Sequence, residues 1–179
     1  MKKVLFINAF NIKSGGGKQI LSNTLDDFKE SDYEVFILIS NSLEDVFSKR
    51  YECFNFLKLP FFLENNFFRY FLLSIIVPLY VKRTKAIKVL SLGNYPIKTK
   101  VRQLTYIHWP YLVYRSNDWT NMSSIGRLKT QFKVFILKHL IKKFETDFIV
   151  QSEVMRSRLN KIIGKKKCFV LFPDVGFPN

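Results

Sequence analysis

An alternation of short apolar runs with amphipathic segments limits what this chain can fold into. Each apolar run is about as long as a buried strand, and the connections between runs are too long for hairpins. The predicted strands are Lys3–Asn8, Tyr33–Ser40, Phe54–Leu59, Ala86–Leu92, Arg102–His108, Asp147–Gln151 and Lys167–Phe172. Strands that alternate with helices in this way predict an α/β protein with a parallel sheet and helices on both faces.

Three of the intervening segments repeat their apolar residues at helical spacing. In the first helix the apolar face is formed by Ile20, Leu21, Thr24, Leu25 and Phe28. In a long helix over Ser124–Phe144 the predicted inner face consists of Ile125, Leu128, Phe132, Phe135, Ile136 and Leu140. A last helix is capped by Ser152, ends at Gly164, and turns Met155, Leu159, Ile162 and Ile163 inward. The whole pattern predicts a Rossmann-like sheet.

The net charge of +15 is concentrated in one part of the chain. Residues 1–64 hold 8 Lys and Arg against 9 Asp and Glu, whereas residues 65–179 hold 21 against 5. A field of one sign favours a polyanionic partner, which leaves nucleic acid, anionic lipid and phosphate-bearing substrates open.

The cysteines and histidines argue against a structural metal. Cys53 and Cys168 form no metal-binding motif, and the chain holds only two histidines. The apolar start lacks a small-residue cleavage site, so we interpret it as a buried strand of a cytoplasmic protein. The two cysteines are then expected to be reduced core thiols.

An apolar segment over residues 61–81 is too interrupted to span a bilayer, which takes about 20 predominantly apolar residues. A buried helix is one interpretation. The other, which we favour because of the surrounding positive charge, is a helix lying in the membrane interface. Its headgroup-binding residues would be Arg69, Lys82, Arg83 and Lys85.

Three places follow predicted strands, where parallel sheets bind their ligands. Ser14–Gly17 would place glycines at a helix N-terminus, although a simple turn is the alternative. His108, with Trp109 and Pro110, ends another strand and is either a hydrogen-bonding or acid–base residue or a structural histidine. Ser152 is more simply a helix N-cap than a site residue, and Asn94 and Tyr95 lie in what can also be read as a turn.

Taken in order, these segments resemble the N-terminal domain of GT-B glycosyltransferases, particularly those of family 4. The first strand, Val4–Asn8, leads to a loop with Gly16-Gly17-Lys18-Gln19. Tyr106-Ile107-His108 corresponds to a middle strand with a following His, and Phe148–Ser152 to a strand followed by Ser and a helix. Phe169–Pro173 corresponds to the last strand and the interdomain linker.

The resemblance implies a retaining transfer of a sugar from a nucleotide-sugar donor to an acceptor, without a tightly bound cofactor or metal. His108 would hydrogen-bond the transferred sugar or the developing charge. Donor or substrate contacts would come from Gly16, Gly17, Lys18, Asn94, Tyr95 and Ser152. The acceptor would be a lipid-linked glycan of cell-envelope or O-antigen polysaccharide synthesis, at the inner face of the plasma membrane.

The resemblance also implies that residues 1–172 are the acceptor-side domain, that a linker starts at 173, and that a donor-binding domain is missing. The 179 residues alone are then expected to transfer no sugar. Two alternatives remain: a basic nucleic-acid-binding domain, and a non-catalytic domain that binds a partner protein.

Overall fold

Seven strands form a single sheet in the computed structural model, which describes residues 2–13, 15–59, 72–114 and 122–171. The strands are β1 Lys3–Asn8, β2 Tyr33–Ile39, β3 Asn55–Lys58, β4 Lys88–Ser91, β5 Arg102–Ile107, β6 Asp147–Val150 and β7 Cys168–Val170. Their order across the sheet is β3-β2-β1-β4-β5-β6-β7, and every neighbouring pair is parallel. The chain is therefore an α/β protein with a Rossmann-like sheet, as the alternation predicts.

Helices cover both faces of this sheet. They are α1 Gly16–Phe28, α2 Asn41–Arg50, α3 Val77–Arg83, α4 Ser124–Lys143 and α5 Glu153–Ile163. A π-helical turn, Leu72–Ile76, precedes α3, and a 3₁₀ turn, Pro110–Leu112, follows β5. Leu5 to Asn8 of the central strand β1 are all buried, as expected of a strand that is covered on both sides.

Two apolar cores lie on opposite faces of the sheet. On one face Leu21 and Leu25 of α1 pack with Leu43 and Phe47 of α2. On the other face α3, α4 and α5 bury a larger set that includes Val77, Leu137 and Leu159. Each fully buried side chain of this kind contributes about 1.5–3 kcal/mol to the stability of the folded chain.

The predicted ends of α5 are confirmed. The Ser152 hydroxyl accepts a hydrogen bond from the Met155 amide at 3.2 Å, which makes Ser152 the N-cap. Gly164 ends the helix with φ +66°, a conformation that favours glycine. Met155, Leu159 and Ile163 are buried, as predicted.

The predicted inner face of α4 is largely wrong. Ile125, Leu128, Phe132 and Phe135 are 64–70% exposed, whereas the predicted Leu140 is buried and Ile136 is half-buried. The sheet is instead covered by another stripe of α4, formed by Thr130, Val134, Leu137, Leu140 and Ile141. The sequence carries apolar stripes on two opposite sides of this helix, and periodicity alone does not choose between them.

The cysteine prediction is also partly wrong. Both thiols are free, but Cys53 is exposed and Cys168 is only half-buried. Burial raises the pKa of the Cys168 thiol to about 11, so this thiol is protonated at neutral pH.

The C-terminal part of the 61–81 segment packs into the core through Leu73, Val77 and Val81. Lys82, Arg83 and Lys85 are exposed, and Arg69 lies outside the described residues. Among the residues that the structure describes, no helix is both long enough and apolar enough to cross a membrane.

Candidate functional site

The carboxyl edge of the sheet contains a topological switch point. After β1 the chain enters α1 on one face, whereas after β5 it leads to α4 on the other. The loops that follow β1, β4 and β5 lie between these departures, and we call the region between these loops the crevice. Open parallel sheets bind their ligands at such a point.

Asn94 joins the loops that follow β4 and β5. Its side-chain Oδ1 accepts hydrogen bonds from the backbone amides of His108 and Trp109, at 2.8 and 2.9 Å. Its Nδ2 lies 3.1 Å from Nε2 of His108. Asn94 itself has φ +68°, a strained conformation that asparagine tolerates better than most residues. The sequence therefore places at this corner a residue that can satisfy three polar groups of the next loop.

This arrangement fixes the tautomer of His108. The backbone N–H groups of two residues donate to Oδ1 of Asn94, so the side-chain NH₂ group of Asn94 must face the imidazole. An NH₂ group of this kind can only donate. Nε2 of His108 is then the acceptor, and the proton of the neutral ring is on Nδ1. Burial lowers the pKa of His108 below its ordinary value, which favours this neutral form at pH 7.

Four buried polar atoms at this edge have no hydrogen-bond partner among the described residues. They are Oδ1 of Asn8, both amide atoms of Asn11 and Nδ1 of His108. A fifth such atom, the hydroxyl of Ser74, lies in the π-helical turn. Because an unpaired buried polar group costs about 1–3 kcal/mol, such a concentration suggests groups that await a ligand.

Close packing brings the loop after β1 against the loop after β4. A Cβ added at Gly93 would lie 2.6 Å from Cβ of Asn11, so only glycine fits there without a shift. Nδ2 of Asn8 donates to the Ser91 hydroxyl at 3.4 Å, which links the ends of β1 and β4. Asn8, at the end of β1, therefore adjoins the loops that contain Asn11, Asn94 and His108.

The glycine loop lies beside this cluster. Gly15 has φ +58° and precedes the first residue of α1, Gly16. Gly17 is buried, and a Cβ added there would lie 3.2 Å from Cγ2 of Ile12. In the described part of the chain no side chain caps α1, and its first turn has no acidic residue. Its positive dipole end is therefore not compensated, unlike that of α5. Lys18 is exposed in the first turn.

The remaining candidate residues lie away from this cluster or have structural roles. The Ser152 hydroxyl serves as the cap of α5, and Tyr95 is buried in the core below the loop. Lys85 lies at the amino edge of the sheet, just before β4, and Arg83 ends the helix that leads there. Lys82, Arg83 and Lys85, the predicted membrane-binding cations that the structure describes, are therefore at the end of the sheet opposite His108.

Two open grooves also lie toward the amino edge. One, of about 900 Å³, is lined by Lys3, Glu34, Arg83 and Lys85 among others. The second, of about 550 Å³, is bordered by residues 99–103, 145–147 and 165–167. Each mixes cations with carboxylates, and neither contains the unpaired atoms described above.

Sequence reasoning missed Asn8 and Asn11 as site residues. A signal was present, because Asn8 interrupts the apolar run Val4–Phe10 and Asn11 comes directly after that run. A polar residue at the buried end of a strand needs a partner, and Asn8 is only 1% exposed.

The described residues contain no group of three or more His, Cys, Asp or Glu side chains that could hold a metal ion. No protein-family model matches the sequence, and no curated protein shows significant similarity to it.

Proposed function

We propose that this chain is the N-terminal, acceptor-side domain of a nucleotide-sugar-dependent glycosyltransferase that works on a lipid-linked glycan at a membrane surface. The observation that carries the proposal is the set of four buried, unpaired polar atoms at the switch point of the sheet. The order of motifs along the chain supports it.

The chemistry of these atoms suits a sugar. An asparagine amide both donates and accepts, as does each hydroxyl of a pyranose, and the Asn11 amide has both functions unused within the described structure. Nδ1–H of His108 supplies one further donor. A neutral imidazole donor can hydrogen-bond a sugar hydroxyl or the negative charge that develops on a departing oxygen.

The donor phosphates would meet the start of α1. Backbone N–H groups at Gly16 and Gly17 and the uncompensated dipole favour an anion, and Lys18 adds a positive charge in the same turn. Asn94 would act as a positioning residue, because it orients His108. The proposal includes no tightly bound metal or cofactor; nucleotide-sugar is the donor substrate, and in a two-domain enzyme a second domain would supply most of its contacts.

Binding measured by NMR on the 179-residue chain tests the proposal. The ligands are nucleotide-sugars that differ in base and sugar, and simple glycosides as acceptor mimics. We expect the imidazole ¹⁵N signals of His108 and the amide signals of Asn11 and Gly16 to shift. Asn11→Ala and His108→Ala should each weaken binding about tenfold, the effect of one lost hydrogen bond of roughly 1.4 kcal/mol.

Asn55→Ala and His139→Ala are the matched controls, because both residues are exposed and lie away from the crevice. Binding that these controls weaken as much as the site variants do would contradict the proposal. So would unchanged signals with every nucleotide-sugar and glycoside.

A nucleic-acid-binding domain is the second candidate, favoured by the net charge of +15. Such a domain would bind RNA or DNA with an affinity that falls steeply as salt rises, because phosphate contacts release counterions. Lys100→Gln and Lys165→Gln, in the basic groove of the amino edge, should then weaken binding while Asn11→Ala does not. The opposite pattern favours the transferase.

A further inference from the structure

The outer side of α4 carries a large exposed apolar stripe. Ile125, Leu128, Phe132 and Phe135 are 69%, 69%, 64% and 70% exposed. At 3.6 residues per turn they fall within an arc of about 80° and extend over about 15 Å of the helix. The core-facing stripe around Val134 and Leu137 lies on the opposite side of the helix. We call the four exposed residues the outer stripe.

Positive charge flanks the outer stripe on both sides. Lys129 and Lys133 lie beside it in one direction of rotation about the helix axis, and Arg127 and Lys138 lie beside it in the other. The 20 residues of α4 contain six Lys and Arg and no Asp or Glu. An apolar stripe between two rows of cations is typical of helices that lie in the headgroup region of a bilayer.

The outer stripe is at the same end of the molecule as the candidate site. It occupies the N-terminal half of α4, which begins beyond the carboxyl end of β5 and contacts the 3₁₀ turn Pro110–Leu112. That turn begins two residues after His108. A surface on which the outer stripe rested would therefore lie close to the crevice.

We propose that the outer stripe of α4 docks this chain on an anionic lipid bilayer. Two identical stripes facing each other would bring their flanking lysines together, so a second copy of the chain is a poor occupant. Nucleic acid matches the charge, but the aliphatic Ile125 and Leu128 offer it neither stacking nor hydrogen bonds. An anionic bilayer satisfies both the apolar stripe and its basic flanks.

This docking surface differs from the Lys82, Arg83 and Lys85 surface, which lies toward the opposite edge of the sheet. The inference rests on the proposed function only for the idea of a membrane-bound acceptor. Its test uses no nucleotide or sugar. Failure of docking would therefore leave the sugar-binding proposal standing, and failure of sugar binding would leave docking standing.

Flotation with vesicles tests the docking. The probes are phosphatidylcholine vesicles with and without phosphatidylglycerol, and the variants are Phe132→Gln with Phe135→Gln, and Lys129→Gln with Lys133→Gln. We expect binding to anionic vesicles only, and a loss of about tenfold or more for the double Phe variant, since two large apolar groups leave the bilayer. The double Lys variant should lose less and should bind with a weaker dependence on salt.

Two controls make the result specific. Val46→Gln with Leu79→Gln removes apolar side chains that are 64% and 58% exposed on α2 and α3, and it should leave vesicle binding unchanged. The wild type already contains Trp109 and Trp119. Brominated lipid should quench the tryptophan fluorescence of Phe135→Trp more than that of the wild type, and that of Val46→Trp no more than that of the wild type. Circular dichroism and urea unfolding verify that each variant folds.

Three outcomes would overturn the inference: vesicle binding that survives loss of both phenylalanines, a self-association that the double Phe variant dissolves, or RNA binding that this variant abolishes. If vesicle binding were lost in the double variant Lys82→Gln with Lys85→Gln and in no other variant, docking would be assigned to the amino edge instead.

Discussion

The two edges of the sheet differ in how completely their buried polar groups are hydrogen-bonded. Toward the amino edge, Gln103 is 3% exposed and makes four hydrogen bonds, to Ser91, to Glu145 and to both backbone groups of Ile97. Nearby, Lys166 Nζ donates to three carbonyl groups at the end of α4. At the carboxyl edge, the side-chain amide of Asn11 makes no hydrogen bond within the described residues.

The paired groups toward the amino edge stabilise the fold, whereas the unpaired groups at the carboxyl edge remain available for hydrogen bonds to a ligand. A fully paired buried amide stabilises a protein, and its removal leaves several partners unsatisfied. An unpaired one costs stability and persists where function requires it. Removing side chains at the two edges should therefore have opposite consequences for folding and for binding.

The largest effect is expected at the paired edge. Gln103→Leu would leave the Ile97 amide and carbonyl, the Glu145 carbonyl and the Ser91 hydroxyl without this partner, and should lower the free energy of unfolding by about 3 kcal/mol. Urea unfolding measures it. The matched control is Gln131→Leu, at an exposed position of α4, with an expected change within about 0.5 kcal/mol. Equal effects of the two would remove the distinction between the edges.

A second prediction concerns the packing that forms the unpaired edge. Gly93→Ala puts a Cβ 2.6 Å from Cβ of Asn11 and should cost about 2 kcal/mol by overpacking. In an Asn11→Gly background that clash disappears, and the same alanine should cost less than about 0.5 kcal/mol. Unfolding of the four proteins of this double-mutant cycle gives the coupling. A coupling near zero would mean that these loops do not pack as described.

Much of the fold could be predicted from sequence because strands and helices differ in the period of their apolar residues. The seven strands, the cap at Ser152 and the stop at Gly164 follow from local chemistry. The faces of α4 did not follow, because Ile125 and Leu128 recur at the same helical spacing as Val134 and Leu137. Tertiary packing decides which stripe of α4 contacts the sheet, and this cannot be predicted from the sequence of the helix alone.

The site was less predictable than the fold. His108 and the glycine loop could be located, because each follows an apolar run that ends in polar residues. The pairing of Asn94 with His108 depends on β4 and β5 being neighbours, and strand order cannot be read from periodicity. The separation of Lys85 from His108 at opposite edges has the same origin.

At the unpaired edge, a third prediction reverses the first. Asn11→Ala removes two buried atoms that have no partner in the described structure, so stability should stay within about 0.5 kcal/mol or rise slightly. Ligand binding at the crevice should nevertheless weaken about tenfold, because those atoms are the ones proposed to contact sugar. Unfolding and NMR titration of the same sample test both halves. A loss of stability as large as that of Gln103→Leu would show that Asn11 has a structural role.

The smallest expected effect is a pH dependence from His108. Its pKa is lowered in the folded chain by burial, whereas the unfolded chain keeps a pKa near 6.5. As pH falls through about 6.5, the unfolded state takes up a proton before the folded state does. Stability therefore falls toward acid, by at most about 1.4 kcal/mol per pH unit for one proton, and the fall ends below the folded pKa.

His108→Gln should remove this pH-dependent component of the stability, while exposed His139 is present in both proteins. When unfolding free energies are measured from about pH 7.5 to about pH 5, the value for wild type minus that for the variant should therefore decrease toward acid. Parallel curves would mean that His108 titrates in the folded chain as it does in the unfolded chain, and that burial does not lower its pKa.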